Sequence, residues 1–339
     1  MNATIKLERE KHFPVLLDEL ISIISPQYGG TFIDCTFGQG GYSKKILENK
    51  LNKVIAIDRD LDVKKKAKQF KSIFKDRFFF ENKKFSEINT LNYPDHNIKG
   101  IVFDLGYSSV QISDPKKGLS FNNKGELNMR MGFNDFSADE IINKLDAKSL
   151  EKIFKLFGEE VKSKLIAKKI CYLRKEKKIL TEDLVRIINS VKKNNNKKIH
   201  NATKVFQALR VFVNQEISEL INGLINSFNI TPIGGIIVVV TFHSIEDRIV
   251  KFFFKNFSEE INSSRYLPNT SNNNQLFKLI KKKPILPTKT EIYNNPRSRS
   301  AKLRYGIKIS NKSDFSEFLK KFNYLLKTEN LSNKLWKNF

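Results

Sequence analysis

Three aspartates stand at the ends of apolar runs, where an acid can serve a bound ligand. Asp34 opens the stretch "DCTFGQGGYS", Asp58 closes "KVIAID", and Asp104 closes "KGIVFD" and opens "DLGYSS". In the first, Asp34-x-x-x-Gly38-x-Gly40-Gly41 lies between an apolar run and a helical one, and Asp58 follows twenty residues after Gly38. Glycine serves any turn that needs positive φ or close backbone approach, so the turn alone reads as a nucleotide grip or as a tight bend. Asp58 adds information, because an acid at the tip of the next strand accepts hydrogen bonds from both ribose hydroxyls of a nucleoside. The competing reading keeps the glycines as a bare turn and Asp58 as a helix cap.

A dinucleotide satisfies the same geometry, but Ser43 occupies the place of the third glycine of G-x-G-x-x-G. The expectation shifts to S-adenosylmethionine, since the order of strand, turn, helix, strand and acid is similar to that of doubly wound methyltransferases. Asp104 is followed by glycine and by Ser108 and Ser109. Carboxylate, open backbone and hydroxyls are thus expected together at the edge where open α/β sheets hold ligands. Methyl transfer to an exocyclic amine asks for that inventory. The amine lone pair is delocalised into its ring, so an acceptor must take the N–H as the nitrogen turns tetrahedral, and alignment with the sulfonium methyl supplies much of the rest. Asp104 is the candidate acceptor; otherwise it caps a turn.

Further along, "TFHSIEDR" packs His243, Ser244, Glu246, Asp247 and Arg248 directly behind "IIVVV". Burying so polar a run unpaired is costly, so it belongs to a crevice. His243 either orients substrate or moves a proton, or is structural; Glu246 and Asp247 also favour a helix N-terminus. The stretch "NPRSRSAKLRYG" gathers Arg297, Arg299, Lys302 and Arg304, a patch suited to phosphate contacts. Arg130, between Met129 and Met131 in "NMRM", reads a base or packs.

The elements that must position these residues follow from periodicity. Between Thr31 and Phe103, "TFIDC", "YSKKILEN", "KVIAID", "DVKKKAKQFKSIF", "RFFFE" and "KGIVFD" alternate strand with helix, the pattern of βαβ units around a parallel sheet. The later "GGIIVVVTF" is continuously apolar and β-branched, as for a strand buried on both faces. From about Ser113 to Asn229 the period becomes helical. Ser137 and Glu140 make a capping box, Leu150, Ile153, Phe154 and Phe157 run up to Gly158, and Val205, Leu209, Phe212, Val213, Ile217, Leu220 and Leu224 form one stripe of a long helix from Thr203. The expected architecture is α/β: a Rossmann-like, mostly parallel doubly wound sheet with an inserted helical domain. Residues 1–112 form its first part, 113–229 the insertion, 230–310 the second part and 311–339 a basic extension with an amphipathic helix. "FKLIKKKPIL" and "KLRYGIKI" are expected to close the sheet as an antiparallel pair.

A chain of 339 residues, 40% hydrophobic and with 28 Phe, can bury a real core. Its two cysteines, Cys35 and Cys171, lack CxxC spacing, which argues against a disulfide framework or a zinc site and for a reducing cytoplasm. No apolar run is long enough to cross a bilayer and no signal segment opens the chain, so no membrane partner is expected. The formal charge of +25 makes a polyanion the expected partner, unless a lysine and asparagine bias, visible in "KKNNNKK", accounts for it. "KSKLIAKKICYLRKEKK" reads equally as a solvated face or a nucleic-acid contact.

Taken together and in order, "HFPVLLDEL", "DCTFGQGGYS", "AIDRD", "DLGYSSVQISD", "GLSFN", "LNMRM", "FGEE", "TKVFQALRVFVNQEI", "TFHSIEDRIVK" and "NPRSRSAKLR" resemble the bacterial 16S ribosomal RNA (cytosine-N4)-methyltransferases, from about His12 to Tyr305. The resemblance implies a class I methyltransferase core that uses S-adenosylmethionine to methylate one cytidine of the decoding centre in small-subunit ribosomal RNA. Carried over residue by residue, its cofactor contacts fall on Gly40, Gly41, Tyr42, Asp58, Phe85, Asp104 and Gln111, with Phe85 stacking on adenine. Asp104, assisted by Ser108 and His243, would act on the base, and Arg130 and the arginines near Arg299 on RNA. Tyr42 stands where the family usually has histidine, Asn128 where it has aspartate and Leu119 where it has phenylalanine. Two other classes stay open: a ribosome-assembly factor that has lost turnover, and a nicotinamide-dependent oxidoreductase on a similar sheet.

Overall fold

The computed structural model describes residues 14–91, 97–107, 111–112, 114–122, 124–192, 200–258 and 275–332. Its strands are β1 (Gly30–Asp34), β2 (Asn52–Ile57), β3 (Phe78–Glu81), β4 (Ile98–Asp104), β5 (Ile236–Thr241), β6 (Phe277–Lys278) and β7 (Lys302–Lys308), in the order β3-β2-β1-β4-β5-β7-β6. The first five run parallel, and β7 is antiparallel to both its neighbours. Chain order reverses between β1 and β4, and register sets Asp34 beside Val102 and Asp104 beside Val240. Both acids therefore occupy the carboxyl edge at the topological switch point, where such sheets open a crevice.

Side chains alternate across the sheet as strand geometry requires. Ile33, Ile55, Ile101, Phe103, Ile237 and Val239 enter one core, while Phe32, Val54, Ala56, Val102, Val238 and Val240 enter the other. The second core is covered by α1 (Leu17–Ile24), α2 (Gly41–Leu47) and α3 (Lys64–Phe74) through Leu20, Ile46 and Phe70. Over the first lie α4 (Ala138–Lys144), α5 (Ala147–Phe157), α6 (Ser163–Leu173), α7 (Thr181–Val191), α8 (Thr203–Asn214), α9 (Glu216–Ile230) and α10 (Ser244–Asn256), whose apolar faces join the sheet in one continuous cluster.

The capping box of Ser137 and Glu140 forms at the start of α4. The single long stripe from Thr203, however, divides: α8 ends at Asn214, Gln215 takes a left-handed φ of 51°, and α9 begins at Glu216. The stripe runs through the break because both helices turn an apolar face to the same core. α9 lies on the sheet itself, since a Cβ at Gly223 would come within 2.6 Å of Phe85 and 3.5 Å of Phe103. β6 and β7 close the sheet as an antiparallel pair, with α11 (Lys289–Asn294) in the chain between them. The amphipathic helix of the extension is α12 (Ser316–Glu329), which buries Phe318, Phe322 and Leu325. Among the described residues no helix is long and apolar enough to cross a membrane.

Candidate functional site

The glycine turn is fixed by packing as much as by conformation. Gly40 has φ 75°, and a Cβ there would lie 2.5 Å from Phe70 and 2.8 Å from Phe37; at Gly41, which opens α2, it would lie 2.1 Å from Pro14. Gly38 donates its N–H to Asp58 Oδ2 at 2.8 Å, and Asp60 donates its N–H to Asp58 Oδ1 at 2.8 Å. The tip of β2 thus grips the turn after β1. Burial pushes Asp58 up to about 6 despite those two donors. Ser43, in the place of a third glycine, donates to Asp34 Oδ2 at 2.6 Å, and burial raises that acid too.

Asp104 donates its backbone N–H to Thr36 Oγ1 at 2.7 Å. Its carboxyl Oδ1 is buried without a hydrogen-bond partner. Burial first, then the negative charges of Asp34 and Glu246, push Asp104 up to about 8, with the Tyr42 hydroxyl opposing. Tyr42 is buried beside it and donates to the Val15 carbonyl. An orphaned carboxyl oxygen among further buried acids is an arrangement that a cation completes, because a positive charge favours the ionised form that burial disfavours. The sulfonium and ammonium of S-adenosylmethionine fit that demand.

The remaining predicted contacts distribute around this floor. Phe85, just past β3, meets Phe103 edge-on with ring centroids 5.4 Å apart. Gln111 donates to Asp60 Oδ2 at 2.5 Å, and Lys117 reaches the same oxygen at 2.6 Å and Asp62 at 2.7 Å. Burial acts against the charge of Asp60, yet these donors hold it below the usual carboxylate range. Ser108 lies outside the described residues.

His243 is the N-cap of α10. Its Nδ1 accepts the Glu246 N–H at 3.5 Å, Glu246 Oε2 accepts the N–H groups of Phe242 and His243 at 2.8 and 3.3 Å, and Nε2 lies 3.0 Å from Glu246 Oε1. Ligating atoms of Glu216, His243 and Glu246 fall within 4.8 Å of one another. Protein partners already engage them: Arg210 holds Glu216 through two bonds of 2.8 and 2.9 Å, and its guanidinium stands 4.7 Å from the Tyr107 ring in the loop after Asp104. Ser244 donates to Glu159 Oε2 at 2.6 Å, which ties "FGEE" to the start of α10.

The basic patch divides. Arg297 and Arg299 are exposed on the turn Pro296–Ser300, which the pairing of Thr241 with Lys302 sets at the carboxyl edge of the sheet. Lys302 and Arg304 instead engage Asp247, each at 2.8 Å, so the two cations share one carboxylate of the protein's own. In "NMRM" both methionines are buried and Arg130 is exposed, its Nε donating to Asn128 Oδ1 at 2.9 Å; asparagine here still offers the acceptor that aspartate would.

One residue that motif reading passed over holds much of the site wall. Asn214, fully buried at the end of α8, donates to the Met129 and Arg210 carbonyls at 2.8 Å each and accepts from Met131 N–H at 2.8 Å and Asn134 Nδ2 at 2.6 Å. Arg59, next to Asp58, donates to the Asn214 carbonyl at 2.9 Å and to Asn134 Oδ1. The signal was an uncharged polar residue at a core-facing position, in "VFVNQE".

The model of the MraW methylase family matches residues 9–309. Among curated relatives, ribosomal RNA small subunit methyltransferase H of Orientia tsutsugamushi (strain Ikeda) is 43% identical over 307 residues, covering 88% of this chain and 98% of that protein. The proteins of the same name from Rickettsia bellii (strain OSU 85-389) and Ehrlichia canis (strain Jake) are 43% and 41% identical, covering 89% and 88% of this chain and 100% of each relative. Among solved structures, a putative methyltransferase from Streptococcus mutans in complex with SAH covers 86% of this chain and 98% of its own at 12% identity and a TM-score of 0.38, too distant to bear on the chemistry. Matched through both the sheet and its connecting helices, and spanning nearly the whole of those relatives, the chain belongs to the MraW methylase family.

Proposed function

We propose that this methylase acts on N4 of a cytidine in the decoding centre of 16S ribosomal RNA, presented in the small ribosomal subunit, in the cytoplasm. Its methyl donor is S-adenosylmethionine, which when bound supplies an electrophilic methyl group on a sulfonium. The observation that carries the proposal is the buried, unpartnered Oδ1 of Asp104 among other buried acids, an acceptor set where a base amine must shed hydrogen. Residues 40–42 would cradle the donor with Asp58 on its ribose, Phe85 beside its base and Gln111 closing the loop side. Asp104, once the positive charge of the bound donor favours its ionised form, would receive an N–H of the cytosine amine.

The remaining residues orient and exclude. His243 caps α10 and holds Glu246 in place, with Ser108 proposed to assist at the amine. Exposed Arg297, Arg299 and Arg130 would hold phosphates, and residues 113–229 would form the substrate-recognition unit. A paired cytosine has its amine engaged, so the substrate must present an unstacked base. Small and large ribosomal subunits from cells lacking this activity, incubated with the purified protein and labelled S-adenosylmethionine, test the proposal. Label on small-subunit RNA alone is expected; label on large-subunit RNA or only on protein would count against it.

A further inference from the structure

The family match ends at residue 309, yet the chain continues into α12. That helix is built into the core rather than appended to it. Phe318 and Phe322 are buried, and Phe318 stands with its ring centroid 5.3 Å from that of Phe253 on α10. At its last turn Glu329, 1% exposed, accepts the Ile217 N–H on Oε1 and the Ser218 N–H on Oε2, each at 2.8 Å. One carboxyl thereby satisfies two of the orphan donors that every helix N-terminus leaves, from 112 and 111 residues away in sequence.

The helix so capped starts at a sensitive place. Asn214, Gln215 and Glu216 form the elbow between α8 and α9. Asn214 holds the 129–134 loop and Arg59, while Glu216 fixes Arg210 over Tyr107, three residues after Asp104. Gln215 takes a left-handed conformation at the elbow, and the Glu329 carboxyl holds the first turn of the helix that follows it.

We propose that Glu329 is a positioning residue for methyl transfer: by capping α9 at the Asn214–Gln215 elbow, it keeps Arg210 in register with Tyr107 on the loop that follows Asp104. The extension beyond residue 309 is then part of the active-site frame. The inference rests on the methyl-transfer activity and adds to it a dependence on a segment outside the family match.

The test compares Glu329→Ala and Glu329→Gln with Leu325→Ala, which opens a cavity in the buried face of the same helix but leaves the cap in place. Glu329→Gln keeps the volume and one acceptor oxygen, so it is the variant expected to fold as the parent does. All are assayed on undermethylated small subunits where each is folded, and amide exchange is followed in peptides spanning Tyr107 and Arg210. Loss of the cap is expected to lower kcat about tenfold, with the S-adenosylmethionine Kd changed less than about twofold, since misplacement at a reacting centre costs rate more than binding. Leu325→Ala should lose thermal stability and keep its kcat. Exchange near Arg210 should quicken in the Glu329 variants alone. Equal kcat loss in Leu325→Ala and Glu329→Ala, or no change near Arg210, would reduce Glu329 to a stability contact. An inactive parent enzyme would count against the activity, and the exchange data would still decide the coupling.

Discussion

Asp58 Oδ2 accepts the backbone N–H of Gly38 at 2.8 Å, which fastens the tip of β2 to the turn that follows β1. The same carboxyl takes the Asp60 N–H on its other oxygen, so the acid expected to hold the ribose also shapes its own pocket. Asp58→Ala removes both functions. Hydrogen bonds to a charged group are worth about 1.5–3 kcal/mol, so S-adenosylmethionine binding should weaken by roughly 10- to 100-fold in calorimetric titration. Unchanged affinity would remove Asp58 from the cofactor site.

Asp104 gives the site a pH signature. An unperturbed aspartate titrates near ~4, whereas Asp104 is pushed up to about 8, by burial and then by Asp34 and Glu246. The folded chain keeps a proton that the unfolded chain gives up, so this group lowers stability as pH rises from about 4 to about 8 and no further above that window. Glu329, pushed up to about 8 by burial, adds a slope of the same sign, so Asp104→Asn should flatten only part of it in urea melts across that range.

Cofactor binding should run the other way. A bound cation favours ionised Asp104, so binding at neutral pH releases protons, and affinity rises from about pH 6 to about pH 8. Calorimetry in buffers of different ionisation heat reads the release directly. Asp104→Ala should lose it and should cut kcat by more than it weakens cofactor binding. Equal losses would make Asp104 a cofactor ligand only.

Asn214 is a stability prediction with a functional edge. Asn214→Ala strands the buried Met131 N–H and the Met129 carbonyl it now satisfies, at about 1–3 kcal/mol per buried unsatisfied group. Chemical denaturation should show at least about 2 kcal/mol of lost stability on that scale. A neutral outcome would mean the 129–134 loop does not depend on this side chain.

The basic residues separate by partner. Arg299→Ala and Arg297→Ala should each weaken RNA binding and reduce the slope of log affinity against log salt by about one. Lys302→Ala should leave that slope unchanged, because Lys302 already serves Asp247. A slope loss for Lys302 equal to that for Arg299 would overturn the division.

Much of this frame was legible in the chain. Apolar runs ending in Asp34, Asp58 and Asp104 identify strands and their tips, because a strand buried on both faces leaves few other places for an acid. The elbow at Gln215 was not legible, since an apolar stripe that serves one core reads the same whether or not a left-handed residue interrupts it. Nor could the sequence separate Arg297 and Arg299 from Lys302 and Arg304. The latter two share a face of β7, spaced two apart and paired with Thr241 and Val239, and only the tertiary approach of Asp247 gives them a shared partner. Ser43, read as a missing glycine, proved to be a partner of Asp34.

The central claim is that Asp104 faces a base amine. Small-subunit RNA methylated by the purified enzyme, digested to nucleosides and resolved by mass spectrometry against authentic standards, tests it directly. N4-methylcytidine at a single position is predicted; methyl on a ring carbon, on ribose, or on any other base would contradict it.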